Sequence, residues 1–301
     1  MSGTGLAMTI VLALLFLLLA GCGLLALFIR RGYRAPRIVE SGTPADFGLP
    51  FREQSIPTAN GRRLFAWYIP APHESRPVPA VVAMHGWGSN AELMLPFAGL
   101  LHRSGYATLL VDARNHGRSD GDAFSSMPRF AEDLEHGFDW LRGVPGVDAG
   151  RVALLGHSVG AAAVLLVASR RPEVAAVVSI AAFAHPEELM RRQMRFHGIP
   201  RPIAWLVLRY VERTIGARYE DIAPVNTIRH IRCPVLLAHG AADRSVPVED
   251  ATAIYAGRAH DGVELMLVPE ADHDSVDRIE GHGGEIAAFL QRAFEVAGPK
   301  G

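Results

Sequence analysis

The chain has 301 residues, 49% of them hydrophobic, with 30 Lys plus Arg against 31 Asp plus Glu. That length gives a folded domain ample material for a core. The near-neutral charge balance excludes the electrostatic footprint of a nucleic-acid binder, and the only two cysteines, Cys22 and Cys233, exclude a disulfide framework.

Residues 1–5 form a short tail without Lys or Arg, and residues 6–29 contain no charged side chain. As a helix this stretch would reach ~36 Å, against a hydrocarbon thickness of ~30 Å. A secretory signal peptide is shorter and starts with cations, so a single transmembrane helix is expected over 6–29. Leu19-Ala20-Gly21-Cys22 resembles a bacterial lipoprotein cleavage box, which makes lipidation of Cys22 the alternative; against it, the apolar run continues past Cys22. Arg30, Arg31, Arg34 and Arg37 crowd the carboxyl flank of the span and predict a cytoplasmic catalytic domain. Residues 30–51, punctuated by Pro and Gly, read as a juxtamembrane linker, leaving 52–301 as one domain.

Within that domain, Asn60-Gly61 between two strand-like stretches signals an antiparallel hairpin. The pattern then changes to continuous apolar runs at 80–84, 107–111, 152–155, 174–180, 235–238 and 263–268, as strands of a parallel sheet covered on both faces would require. Helical stretches fall between them at 128–141, 159–169 and 284–296. This alternation predicts an α/β fold, a doubly wound and mostly parallel sheet. Residues 185–231 are too many for a plain crossover and read as a helical cap insertion. Its apolar side chains, Trp205 and Leu208 among them, either line an acyl pocket or simply pack on the domain.

Gly156-His157-Ser158-Val159-Gly160 follows one apolar run and opens a helical stretch. A serine at a sharp strand-to-helix turn, flanked by residues without bulk, stands exposed at a sheet edge as a nucleophile; the same residues would also make a helix N-cap. A serine hydroxyl needs a base, and the base needs an orienting group. Both follow at strand ends: Asp243 in His239-Gly240-Ala241-Ala242-Asp243, and His273 in Asp272-His273-Asp274. In that order and context the chain resembles an α/β-hydrolase of the serine esterase and lipase type, from about residue 53 to the carboxyl end.

The resemblance assigns Ser158 as nucleophile, Asp243 as acid and His273 as base. It likens His85-Gly86-Trp87-Gly88 to the oxyanion loop, with backbone N–H groups of Trp87 and Val159 as donors and His85, Gly86, Gly156 and Gly160 as scaffold. Asp112 and His116 resemble a structural turn of the same enzymes. His239 reads as a buried packing residue, His157 as one that packs or supports the site without touching substrate, and Asp272 and Asp274 are poorer acids than Asp243 because neighbours in sequence rarely orient one another's rings. No Cys/His cluster at ligand spacing appears, so neither a metal nor a cofactor is expected. The expected reaction is hydrolysis of a small-molecule or lipid ester through an acyl-enzyme. A thioesterase, peptidase or acyltransferase on the same triad, and a non-catalytic scaffold, stand as alternatives.

Overall fold

The computed structural model describes residues 3–32, 34–73 and 77–298. The chain divides into two compact units, Met1–Arg34 and Ala35–Gly301. The first is a single helix, α1 (Gly3–Gly32). Its described side chains Met8, Ile10, Val11, Leu12, Leu14, Leu15, Phe16 and Leu27 are exposed. The side chains of Cys22, Arg30 and Arg31 lie outside the described residues. Among those residues no helix is long and apolar enough to cross a membrane. Within α1 the side chains at 3, 4, 6, 17–19, 22, 24–26 and 28–32 lie outside the described residues. The span expected over 6–29 thus gains no structural support.

The second unit is built on an eight-stranded sheet in the order β1-β2-β4-β3-β5-β6-β7-β8. β1 (Arg52–Thr58) and β2 (Arg62–Ile69) form the expected antiparallel hairpin. Asn60 and Gly61 both turn with positive φ, 60° and 66°, a conformation Asn tolerates and Gly takes at no steric cost. β2 also runs antiparallel to β4 (Ala107–Val111). From there β3 (Val78–Met84), β5 (Val147–His157), β6 (Val177–Ile180), β7 (Val235–Gly240) and β8 (Val263–Val268) pair in parallel.

The helices that follow the strands cover both faces. Strand side chains alternate between two cores: Ala80, Val82 and Met84 enter one, Val81 and Ala83 the other. α3 (Met127–Arg142) and α4 (Val159–Arg170) close the first core with Phe130, Leu134, Phe138 and the alanines 161–163. α2 (Leu95–Arg103) and the last helix, α11 (Gly283–Ala297), close the second with Phe97, Leu101, Ile286, Phe289 and Phe294. Burial on both sides is why these strands read as unbroken apolar runs rather than as alternating ones. The insertion at 185–231 is helical, as expected: α5 (Pro186–Phe196), α6 (Arg201–Ile215) and the short α7 (Tyr219–Ile222) and α8 (Pro224–Thr227). α9 (Val248–Ala256) and α10 (Val276–Gly281) complete the set.

One expectation needs correcting. The stretch after Arg34 is no loose tether but a strap lying along residues 86–92. Pro36 packs on Gly88, and the Ile38 carbonyl accepts from Asn90 Nδ2 at 3.1 Å. The backbone N–H groups of Ser41 and Gly42 donate to Glu92 at 2.7 and 3.1 Å, and Arg37 donates to the Ser119 carbonyl at 2.8 Å. These partners lie some 50 to 82 residues away in sequence, so no local pattern announces them.

Candidate active site

Ser158 sits between the end of β5 and the first residue of α4, with φ 54° and ψ −114°. A non-glycine residue in that region is strained, and the surroundings hold it there. Its N–H donates to the Ile180 carbonyl at 2.8 Å, and its carbonyl accepts from Ala162 at 3.0 Å. The flanking glycines make the turn possible by close approach. A Cβ on Gly160 would stand 2.5 Å from the carbonyl oxygens of both Met84 and His85, and one on Gly156 would collide with the Gly160 carbonyl. The N-cap alternative is absent in its side-chain form, because the Ser158 hydroxyl caps no amide.

That hydroxyl donates instead to His273 Nε2 at 2.9 Å, and His273 Nδ1 donates to Asp243 Oδ2 at 2.7 Å. A proton on Nδ1 is required by the carboxylate it faces, which leaves Nε2 free to accept. Asp243 is fixed from its other oxygen, which accepts the N–H groups of Ser245 and Val246 at 2.9 and 2.8 Å. Burial pushes this carboxyl upward, but the His273 hydrogen bond and the Val246 amide outweigh it and hold Asp243 below its ordinary value. Asp272 is occupied within its own turn by Ser275 and Asp274.

The parallel register sets Met84 beside Gly156, so the loop after β3 lies against the serine. A Cβ on Gly86 would be 3.1 Å from Ser158 Cβ. Among the described residues, neither the Val159 nor the Trp87 backbone N–H has an acceptor. His85 is scaffold: it is fully buried, its Nδ1 donates to the Gly86 carbonyl at 2.6 Å, and its Nε2 accepts from Ala113 N–H at 3.1 Å. Burial, then the neighbouring His116, pushes it down to about 3, so it stays neutral. His239 donates from Nε2 to the Val246 carbonyl at 2.8 Å, the packing role expected of it. Trp87 is 37% exposed and stacks against Phe130.

Of its two expected roles, His157 takes the supporting one. Its Nε2 donates to the backbone carbonyl of His273 at 2.9 Å, tying the elbow to the loop that carries the base. Burial, then the His273 ring, lowers it to about 4. Leu208 is a correction. It is 0% exposed, enclosed with Ala204 and Val207 on the inner side of α6, so no substrate reaches it in this structure. Trp205 is 53% exposed, beside Leu206 and Ile203 on the outer side. Sequence reasoning also missed Glu40. Both its carboxyl oxygens are buried and, among the described residues, have no hydrogen-bond donor. They face Asp112, which burial and then Glu40 raise to about 8.

A family model described as serine aminopeptidase, S33, matches residues 75–225. The chain belongs to this family. The matched span holds Ser158 and the loop at His85 and ends before Asp243 and His273. Among curated relatives, the uncharacterized protein Rv2307c of Mycobacterium tuberculosis is 30% identical over 231 residues, 76% of this chain and 75% of that protein. The uncharacterized protein YfhR of Escherichia coli K12 is 26% identical over 232 residues, 75% of this chain and 74% of that protein. Among solved structures, an esterase of Pyrococcus furiosus superposes with a TM-score of 0.71 at 25% identity, covering 86% of this chain and 97% of its own. Est1E of Butyrivibrio proteoclasticus, solved with ferulic acid, shares the fold at a TM-score of 0.62 and 19% identity, over 79% of this chain and 99% of its own. The protein is an α/β hydrolase.

Proposed function

We propose that this hydrolase is a serine esterase in which Ser158, His273 and Asp243 act as a catalytic triad. Ser158 Oγ attacks the acyl carbonyl while His273 Nε2 takes its proton, and Asp243 holds the ring in that tautomer and stabilises the imidazolium. The N–H groups of Val159 and Trp87 receive the developing oxyanion, each contributing about 3 kcal/mol to the transition state. His273 then protonates the departing alcohol, and water releases the acyl group by the same route in reverse. The observation that carries this reading is the unbroken relay Asp243–His273–Ser158 at 2.7 and 2.9 Å.

The preferred substrate is a lipid or long-acyl ester presented at a membrane. In support, residues 6–29 are uncharged, and the cap exposes Phe196, Trp205 and Leu206 at 88, 53 and 51%. α1 is then the anchor, with the arginines after it on the cytoplasmic side. A reporter fused after Gly301 should be cytoplasmic, and protease access from outside would reverse that orientation. The family's aminopeptidase description favours a second reading, hydrolysis of an amide at a free amino terminus.

A fluorophosphonate probe should label the intact protein and leave Ser158→Ala unlabelled. Acyl esters of graded chain length, run beside aminoacyl anilides, then separate the two readings. Turnover of esters alone supports the first, and turnover of anilides alone replaces it with the second. An unlabelled wild-type protein would remove both.

A further inference from the structure

The triad stands at the carboxyl ends of the strands. At the opposite edge of the sheet lies a cavity of about 730 Å³, lined by the end of α4, the segment leading into β7 and the turn before β8. β7 separates the two places: Cys233, on the cavity wall, precedes it, and Asp243 follows it. Six strand residues at ~3.3 Å each set them roughly 20 Å apart. The cavity is therefore no extension of the active site.

Its wall carries Arg170, Arg171, Arg229, His230, Arg232 and His260, and no Asp or Glu. Two of these arginines are accounted for. Arg170 pairs with Glu135 at 3.1 Å, and Arg171 pairs with Asp139 at 2.6 Å. Both also sit at the end of α4, where cations complement the helix dipole. Arg229 and Arg232 are exposed, and Arg229 lies in the last turn of the short 3-10 helix Ile228–His230. They flank His230 and Ile231 ahead of β7, and among the described residues no carboxylate lies within 4.0 Å of either. Gathered on one concave wall with two histidines, these arginines raise the local positive potential, which favours an anion there.

We propose that this cavity is a binding site for a phosphate-bearing ligand, held by Arg229 and Arg232. The planar guanidinium fork matches two phosphate oxygens at once, which suits arginine better than any other side chain to the task. The volume falls within the ~300–1,000 Å³ of small-molecule sites, so the phosphate is attached to a larger body. Ala168, Pro172, Val174 and Ile231 offer that body an apolar wall. The site binds and does not react: the thiol on its wall, Cys233, is pushed up to about 12 by burial and stays protonated. Two sources supply the same chemistry, a water-soluble phosphate ester and a phospholipid headgroup.

The test uses the full chain in detergent and reads binding by calorimetry in ~0.15 M salt, where long-range attraction is screened. The soluble probe is glycerol phosphate. The lipid probe is phosphatidic acid in phosphatidylcholine vesicles, against phosphatidylcholine alone. At least one probe should bind with a Kd below about 1 mM, and Arg229→Ala with Arg232→Ala should weaken it at least about tenfold. Ester turnover and melting temperature should stay unchanged, and Arg195→Ala with Arg201→Ala, two exposed arginines on the cap, should leave the Kd alone. If the alanine pair misfolds, Arg229→Lys with Arg232→Lys keeps the charge, loses the fork and should still weaken binding. Failure of both probes to bind, equal binding by the Arg229/Arg232 variants, or equal loss in the cap control would overturn the site.

Discussion

At the scale of single residues, the site rests on groups whose protonation is fixed by their surroundings. Asp243 is held ionised, so its task is to keep the His273 proton on Nδ1. Asp243→Asn keeps the shape and offers the ring a donor instead, which favours the wrong tautomer. Turnover should fall by about 10⁴ with little change in melting temperature, as a misassigned tautomer does in comparable triads; full activity would mean that another carboxylate orients the base. His157 acts by position. Its ring is neutral above about pH 4 and ties the elbow to the His273 carbonyl. His157→Ala should lower kcat by about ten- to a hundredfold, since small misplacements of a base are costly. KM and the shape of the pH profile should not move, and His157→Gln, which can still donate, should recover part of the rate. Unchanged kcat in the alanine variant would assign His157 to packing alone. The triad was legible because each member follows a strand in the required order. The His157 bond was not legible, because it reaches a backbone carbonyl 116 residues away.

Among the elements, the strap over residues 35–42 departs most from what the sequence suggested. Strands and helices announce themselves by apolar periodicity, whereas the strap is held by polar contacts whose partners are distant, and its Pro and Gly imitate a linker. Glu40 alters the titration of a neighbour, Asp112. Asp112 accepts N–H groups from Ala91 and Arg118 at 2.7 and 2.8 Å, yet burial and then Glu40 raise it to about 8, which favours its protonated form at neutral pH. A carboxyl raised on folding stabilises the fold at acid pH, and that contribution is lost as pH climbs through about 8. The wild-type protein should therefore lose more melting temperature between about pH 5 and pH 9 than Glu40→Gln, by about 2–4 °C for each kcal/mol of coupling. Parallel pH curves for the two proteins would show that Glu40 does not raise Asp112. The cap was legible as an insertion but not in its orientation, since Trp205 and Leu208 are equally apolar and only packing decides which faces outward.

At the scale of the molecule, the doubly wound sheet explains why distant segments meet at one edge. Parallel strands deliver their carboxyl ends to the same side, so the loops after β3, β5, β7 and β8 converge, and the opposite edge is left for the cavity beneath β7. This much was implicit in the alternation of strand and helix. What alternation cannot state is where the catalytic body begins, because hydropathy marks only the end of the apolar helix. Removing residues 1–34 should leave hydrolysis of a small water-soluble ester within about twofold of wild type, while removing residues 1–42 should cost about tenfold or more by loosening the oxyanion loop. Equal activity of the two truncations would show that the strap is dispensable.

The strap also gives the chain a definite fate under proteolysis. A cut just after Arg34 would leave the strap whole on residues 86–92. A cut a few residues later, past Glu40, would leave Ser41 and Gly42 on Glu92 but strip Pro36 from Gly88 and Ile38 from Asn90. The same protease, acting a few residues further on, would thus lower the activity instead of leaving it intact.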